Sequence, residues 1–261
     1  MRSIQFYKYQ GTGNDFVILD NRINQYDGLT TAQVKFMCNR RFGIGADGLM
    51  LLNVLDGYDF EMKYYNADGS ESTMCGNGGR CMVQFAYDLG IHKATYSFLA
   101  IDGPHDAVFD ERAWVQLKMK DVNKIEDHEG DAVLDTGSPH FVRIVSNVKQ
   151  HDVVNEGKQV RYSKEYKDKG INVNFVEMED GRIYVRTYER GVENETLSCG
   201  TGVTASALVC AHNELGFNRV EVQTLGGHLA VEFDKQEDDT YNDIWLCGPA
   251  TFVFKGEINI K

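Results

Sequence analysis

Two of the chain's six cysteines stand directly ahead of a glycine run: Cys75 in "MCGNGGRC" and Cys199 in "LSCGTGVT". A cysteine so placed can be a nucleophile, a metal ligand, one half of a disulfide or a small core residue before a turn. No C-x-x-C pair of the kind zinc sites use occurs, and six cysteines in 261 residues are too sparse for a disulfide scaffold. Neither a metal nor a cross-linked frame is expected. If a helix begins at each glycine run, its first amides lack intrahelical partners and its dipole is positive at that end. The thiolate is then favoured relative to an ordinary thiol of pKa ~8.5. Such a thiol can act as a base. The amides of Gly76, Asn77 and Gly78, and of Gly200, Thr201 and Gly202, can together hold an anion such as a carboxylate. Glycine lets the backbone come close to it.

The elements around the two cysteines repeat. Cys199 follows Cys75 at an offset of 199 − 75 = 124, and the same offset carries "TGNDFV" at Thr12 onto "TGSPHFV" at Thr136, with one extra residue before the second Phe-Val. "FEMKYYNADGSESTMCG" lies over "YVRTYERGVENETLSCG", pairing Tyr64 with Tyr188 and Glu71 with Glu195. Further on the offset drifts to 123, where "HDAV" at His105 faces "HLAV" at His228. The pattern is an internal duplication. Alternating runs such as "IQFYKY", "FVILD", "FEMKYYN", "NVNFVEME" and "IYVRTYE" read as strands. Residues 77–89 and 201–215 read as helices stopped by Gly90 and Gly216 at the C′ position, and a further helix fits residues 31–41. The expected fold is α+β (α/β): two pseudo-symmetric domains, each a sheet wrapped around a central helix, with the active site in the cleft between them. The halves are placed at 1–128 and 129–251, with the polar stretch "NKIEDHEGD" as linker.

Two such thiols on opposite faces of a tetrahedral carbon have a chemistry: one removes a proton, the other delivers one, and the centre inverts. A carboxylate held by amides has its enolate-like charge stabilised as it develops. Duplication would also copy a structural cysteine, but the other cysteines are not copied: Cys81 faces Ala205 and Cys38 faces Tyr162. The formal charge of -12 argues against nucleic-acid backbones and anionic membranes as partners. The N-terminal "MRSIQFYKYQ" lacks a signal-peptide core and "LMLLNVL" is too short to span a bilayer, so a cytoplasmic protein is expected.

The segments "GTGNDFV" at 11–17, "FGIGADGL" at 42–49, "NADGSESTMCGNGGRC" at 66–81 and "ERGVENETLSCGTG" at 189–202 resemble the diaminopimelate epimerase family over essentially the whole chain. The resemblance implies a cofactor-free enzyme that interconverts LL- and meso-diaminopimelate for lysine and peptidoglycan precursors, binding its small amino-acid substrate between two alike halves. It implies Cys75 and Cys199 as the acid/base pair, with His140 and Glu189 tuning the thiols. Asn14, Asn66, Asn172, Glu189 and Arg190 are the implied substrate-binding set, with Gly76-Asn77 and Gly200-Thr201 around the reacting carboxylate. Arg190 suits the distal carboxylate and Glu189 the distal ammonium. Gly48 and Ser138 depart from a common family pattern of glutamine and asparagine. The resemblance also implies that a C-terminal strand at 252–261 crosses back to the first half, and it leaves the oligomeric state open, a homodimer included.

Three readings compete with this one. A related racemase or epimerase for proline or hydroxyproline shares the two-cysteine plan, but proline has no charged distal end for the Glu189-Arg190 pair. A two-lobed amino-acid binder would exchange no α-proton. A thiol hydrolase lacks a clear Cys-His-Asn pattern here. Residue by residue, Asn66 and Asp68 can be plain turn formers, Glu189-Arg190 a solvated pair and His140 a loop histidine.

Overall fold

The structure, a computed structural model, describes residues 2–110, 114–211, 214–237 and 240–260. The chain divides into two compact units, Met1–Leu117 with Pro249–Lys261, and Lys118–Gly248. The first carries β1 (Arg2–Gly11), β2 (Asn14–Asp20), α1 (Thr31–Cys38), β3 (Gly48–Asn53), β4 (Phe60–Asn66), β5 (Glu71–Ser72), α2 (Gly76–Asp88), β6 (Thr95–Ala100), β7 (Gly103–Phe109) and β8 (Val115–Lys118). The second carries β9 (Glu126–His128), β10 (Asp131–Asp135), β11 (Pro139–Ile144), α3 (Val153–Arg161), β12 (Asn172–Glu179), β13 (Arg182–Glu189), β14 (Asn194–Thr196), α4 (Gly200–Val209), β15 (Gly216–Thr224), β16 (Gly227–Lys235) and β17 (Tyr241–Gly248). A last strand, β18 (Thr251–Ile260), pairs antiparallel with β1. The division falls at 117/118 rather than near 128, and the polar stretch expected as a linker forms β9 and its turn into β10.

Pairing repeats strand for strand. In the first unit β1–β2 is antiparallel, β2–β3 parallel, β3–β4 antiparallel, β4–β6 parallel and β6–β7 antiparallel. The second unit runs β10–β11, β11–β12, β12–β13, β13–β15 and β15–β16 in the same senses. Register places β2, β3, β6 and β7 on β11, β12, β15 and β16 at an offset of 124, without the insertion or drift expected there. β13 sits one residue earlier against β4: Tyr64 faces Ser72 as Thr187 faces Thr196, so Tyr64 corresponds to Thr187 and not to Tyr188. Phe16 faces Gly48 as His140 faces Asn172, and Phe98 faces His105 as Val222 faces Leu229. Phe16 therefore corresponds to His140, not to Phe141. In a strand a one-residue slip exchanges the two faces, so this correction changes which side chains point at the central helix.

β2 and β3 are buried on both sides, as are residues 140–142 of β11 and 172–176 of β12. Val17, Leu19, Leu49 and Leu51 join Val34 and Met37 of α1 in one apolar cluster. Phe141, Val173 and Phe175 join Val153 of α3 in the matching one. The opposite faces carry the glycine-started helices: Gly78 of α2 lies over Phe16 and Met50, and Gly202 of α4 over Asn174 and His140. Helix limits follow local chemistry. α1 is opened by a Thr30–Gln33 capping box and ends at Cys38, short of the expected residue 41, because Asn39 turns extended and its side chain accepts the amides of Arg41 and Phe42. α2 stops before Gly90 at φ +90, as expected of a C′ glycine. α4 stops at Val209, and Gly216 instead opens β15; residues 212 and 213 of the expected helix lie outside the described residues.

One charged network fixes the β1–β2–β3 end of the first unit. Buried Lys8 lies 2.7 Å from Asp15, and Arg40 bridges Asp15 at 2.6 Å and Asp47 at 2.7 Å. Burial alone would raise the Asp15 carboxyl, but the bonds from Arg40 and Lys8 outweigh it and hold it well below the usual carboxylate range. A folded-state value below the unfolded ~3.9 stabilises the fold above that pH, and the contribution is lost as pH falls through the lowered value. Asp15→Asn leaves Lys8 buried without its carboxylate, so a loss of about 3 kcal/mol at neutral pH is expected in denaturant titration. The difference from wild type should shrink on acidification below ~4; a difference constant with pH would refute the linkage.

Candidate active site

Each cysteine is the N-cap residue of a core helix. Cys75 (φ −97°, ψ 131°) precedes α2 and Cys199 (φ −115°, ψ 112°) precedes α4, and neither side chain caps its own helix. An N-cap serine or aspartate would turn its side chain back onto the first-turn amides, and neither cysteine does so. The glycines are required by packing. A Cβ on Gly202 would stand 2.4 Å from Asn174 Oδ1, and one on Gly78 3.2 Å from Met50 Sδ.

Around Cys75, the Gly11-Thr12-Gly13-Asn14 turn has two left-handed residues, Thr12 at φ 50° and Gly13 at φ 86°. A β-branched residue there is strained. Thr12 is held in place by Asn77 Oδ1 at 3.3 Å and the Arg80 guanidinium at 3.3 Å. The turn delivers Asn14 with its amide donated to Asp47 at 2.6 Å, so its Oδ1 faces Cys75 Sγ at 3.5 Å and Asn77 Nδ2 at 3.4 Å. Arg80 is wholly buried, donates to Asn77 Oδ1 at 2.9 Å and to the Gly76 carbonyl at 3.4 Å, and places a permanent charge against the first turn.

Around Cys199, Thr201 Oγ1 lies 3.5 Å from the sulfur and 3.2 Å from Ser138 Oγ. Ser138 in turn meets His140 Nε2 at 3.0 Å and Asn172 Nδ2 at 3.1 Å. Asn172 Oδ1 accepts the Arg190 amide at 2.9 Å. His140 is a fully buried strand residue of β11, not a loop histidine; burial pushes it down to about 3, with Asp135 pulling up and Arg190 down, so the ring is neutral.

The expected set thus divides. Asn14 and Asn77 gather at Cys75; Thr201, Asn172 and His140 gather at Cys199. Asn66 ends β4 in a turn, bonded to Ser70 at 3.3 Å. Glu189 accepts the Thr196 hydroxyl at 2.8 Å, while the exposed Arg190 side chain donates to the Lys169 carbonyl at 3.2 Å. The two departures acquire reasons: Tyr64 fills the space where a Gly48 side chain would start, 2.4 Å away, and Ser138 links His140 to Thr201. Arg80, Asn174 and Thr187 were not singled out from sequence. A charge one turn into an apolar helix, and an asparagine inside the run "NVNFV", were the signals available. Cys38 and Cys81 are buried thiols pushed up to about 12 by burial, and Cys210 to about 11, as expected of core residues. No cluster of potential metal ligands occurs among the described residues, and no helix there is long and apolar enough to cross a membrane.

The family described as diaminopimelate epimerase matches twice, over residues 6–125 and 132–253. The chain belongs to that family. Relatives of that name include one from Flavobacterium psychrophilum, 48% identical and aligned over 98% of this chain and 100% of its own, and one from Chlorobaculum tepidum, 42% identical over 96% and 99%. Among solved structures, a PhzF-family phenazine biosynthesis protein of Bacillus anthracis is similar at a TM-score of 0.78 with 16% identity, covering 100% of both chains. A hydroxyproline epimerase of Agrobacterium vitis is similar at 0.70 with 12% identity, over 98% and 92%. At such identity these two share the fold alone. The chain is an epimerase of the diaminopimelate family with a duplicated α+β fold.

The packing under Gly202 yields a direct check. In an open helix Gly→Ala gains up to about 1 kcal/mol, but at 202 the new methyl collides with Asn174, and a net loss of about 1–3 kcal/mol is expected in thermal denaturation. Gly78→Ala, against the flexible Met50, should lose less. Equal stability of Gly202→Ala and wild type would contradict the contact.

Proposed function

We propose that the chain converts LL-diaminopimelate to the meso isomer without a cofactor, in the supply of lysine and peptidoglycan precursors, with Cys75 and Cys199 as its two bases. The observation that carries the reading is the doubled family match in which both copies bear an N-cap cysteine. The α-carbon of an amino acid is a weak acid, so a base alone is insufficient. The α-carboxylate must be held where charge accumulates as the proton leaves, and the first-turn amides of α2 and α4 are suited to that task. One thiolate takes the α-proton: the C–H bond breaks and an S–H bond forms. The other thiol gives its proton to the opposite face: its S–H bond breaks and the new C–H bond forms. The two sulfurs exchange protonation states in each turnover.

Selectivity is assigned to the far end of the substrate. Arg190 would bind the distal carboxylate, Glu189 the distal ammonium, with Asn66 and Asn172 completing the hydrogen bonds. A one-headed amino acid leaves these groups unmatched, at roughly 1–3 kcal/mol for each buried one.

The test is chiral separation of products from LL-diaminopimelate and purified chain with no added cofactor. Wild type should form the meso isomer, and Cys75→Ala or Cys199→Ala should each fall by at least about 10²-fold with the fold intact. Arg190→Ala should lose most activity without gaining activity on proline. Near-normal turnover by either alanine variant, or proline racemisation as fast as diaminopimelate turnover, would overturn the assignment.

A further inference from the structure

The Lys118–Gly248 unit buries a polar pair where its twin buries an apolar one. At the 124 offset, His140 and Asn174 stand in the places of Phe16 and Met50, on the strand face that packs under the glycine-started helix. Both are 0% exposed. Burying them is costly unless every hydrogen-bonding atom is matched, so their partners fix the position of each proton.

The count starts at Asn174. One terminus lies against the Phe141 carbonyl at 3.0 Å, which can only accept, so that terminus is the amide nitrogen, and Oδ1 at the other accepts the Thr187 hydroxyl at 2.9 Å. The same nitrogen meets His140 Nδ1 at 3.1 Å. Nδ1 therefore accepts, and in a neutral ring the single proton is on Nε2. Nε2–H points at Ser138 Oγ. The same oxygen accepts from Asn172 Nδ2, whose orientation is set by the Arg190 amide on Oδ1 and by the Pro139 carbonyl at 3.1 Å. With two N–H groups on its lone pairs, Ser138 must turn its own proton to Thr201 Oγ1, and the Thr201 proton is left to face Cys199 Sγ.

We infer that Asn174, His140 and Ser138 form a one-way hydrogen-bond relay that ends in a hydroxyl donated to the Cys199 sulfur and favours its thiolate, with Asn174 the positioning residue that fixes the His140 tautomer. His140 is then a donor, not a general base. In a Ser–His–Asp triad the third residue accepts from the ring and leaves the far nitrogen free to take a proton; here the third residue donates, and the far nitrogen is already protonated. In the first unit the matching positions hold Phe16 and Met50, which have no hydrogen-bonding groups to pass on; Asn14 turns an acceptor toward Cys75, and the charge of Arg80, in the place of Thr204, stands at the first turn. The charges that act on His140 are Asp135 of β10 and Arg190 after β13, and Glu189 at the end of β13 is engaged by Thr196. On β15 and β16, which also pack on α4, Arg219 is paired with Glu221 and Glu232, and His228 with Glu221.

The inference rests on Cys199 being one of the two bases, and two readouts separate its failure from that of the assignment. Long-range ¹H–¹⁵N correlation on the labelled full chain should show His140 as the neutral Nε2–H tautomer, without titration through the neutral range. The pH dependence of alkylation, read separately for Cys75 and Cys199 by peptide mass spectrometry, should show a higher Cys199 midpoint in Ser138→Ala and in Asn174→Leu. A rise of about one unit, a tenfold smaller thiolate fraction, is expected with Cys75 unchanged. Ser138 is partly exposed, so its variant should remain folded even where Asn174→Leu does not. An Nδ1–H tautomer, or an unmoved Cys199 midpoint in Ser138→Ala, would overturn the relay. A relay confirmed by both readouts in a chain whose Cys199→Ala form still turns over would remove Cys199 from the chemistry and leave the relay standing.

Discussion

The organising constraint is a sulfur at the N-cap of a helix buried in the core of its own unit. A helix end exposes amides that need an acceptor, and the chain supplies none from the cap side chain itself. The helix must therefore be seated by its sides: the strands beneath are buried on both faces, and glycine at the third helical position lets the backbone settle onto Phe16 and Met50 in one unit and onto His140 and Asn174 in the other. Capping α1 and α3 with Thr30 and Asp152, whose side chains do bond the first turn, shows the ordinary solution at the two helices whose N-cap is not a cysteine.

The dipole alone does little for the thiol. A terminal charge gains about 0.3–1 kcal/mol from it, less than one pKa unit, and a thiol of ~8.5 would remain mostly protonated at neutral pH. For each sulfur to serve as the proposed base, something further must stabilise its thiolate, and the two copies differ in what they place there. One sets a buried guanidinium against the first turn and tethers it through Asn77 and Thr12. The other sets a chain of neutral groups. A duplicated fold thus supports two sites of the same outline and different electrostatics, which suits a reaction whose two faces see different substrate stereochemistry.

Much of this was readable from residue types and spacing. The offset between the cysteines located both central helices to within a residue at their starts, and the strands "NVNFVEME" and "IYVRTYE" appear where alternation put them. What was lost was lost through register. Matching the two Phe-Val pairs inserted a residue that the sheet does not contain, which hid the correspondence of Phe16 with His140 and of Met50 with Asn174. Carried through without that insertion, the same offset would also have placed α3, the counterpart of α1, which its charged sequence "VVNEGKQVR" concealed. Arg80 and Asn174 were out of reach for another reason: polar residues in apolar runs are legible as anomalies, but their partners come from strands distant in sequence.

The central claim is that two bases, one per face, invert one carbon, and solvent deuterium tests it most directly. LL-diaminopimelate is incubated with the chain in deuterated water, and both isomers are analysed at early conversion. The account predicts meso product carrying deuterium at the inverted α-carbon while the remaining LL substrate stays protiated, because the base that removes the proton is not the acid that returns one. Product that retains the substrate's own proton, or substrate and product labelled equally from the outset, would contradict it.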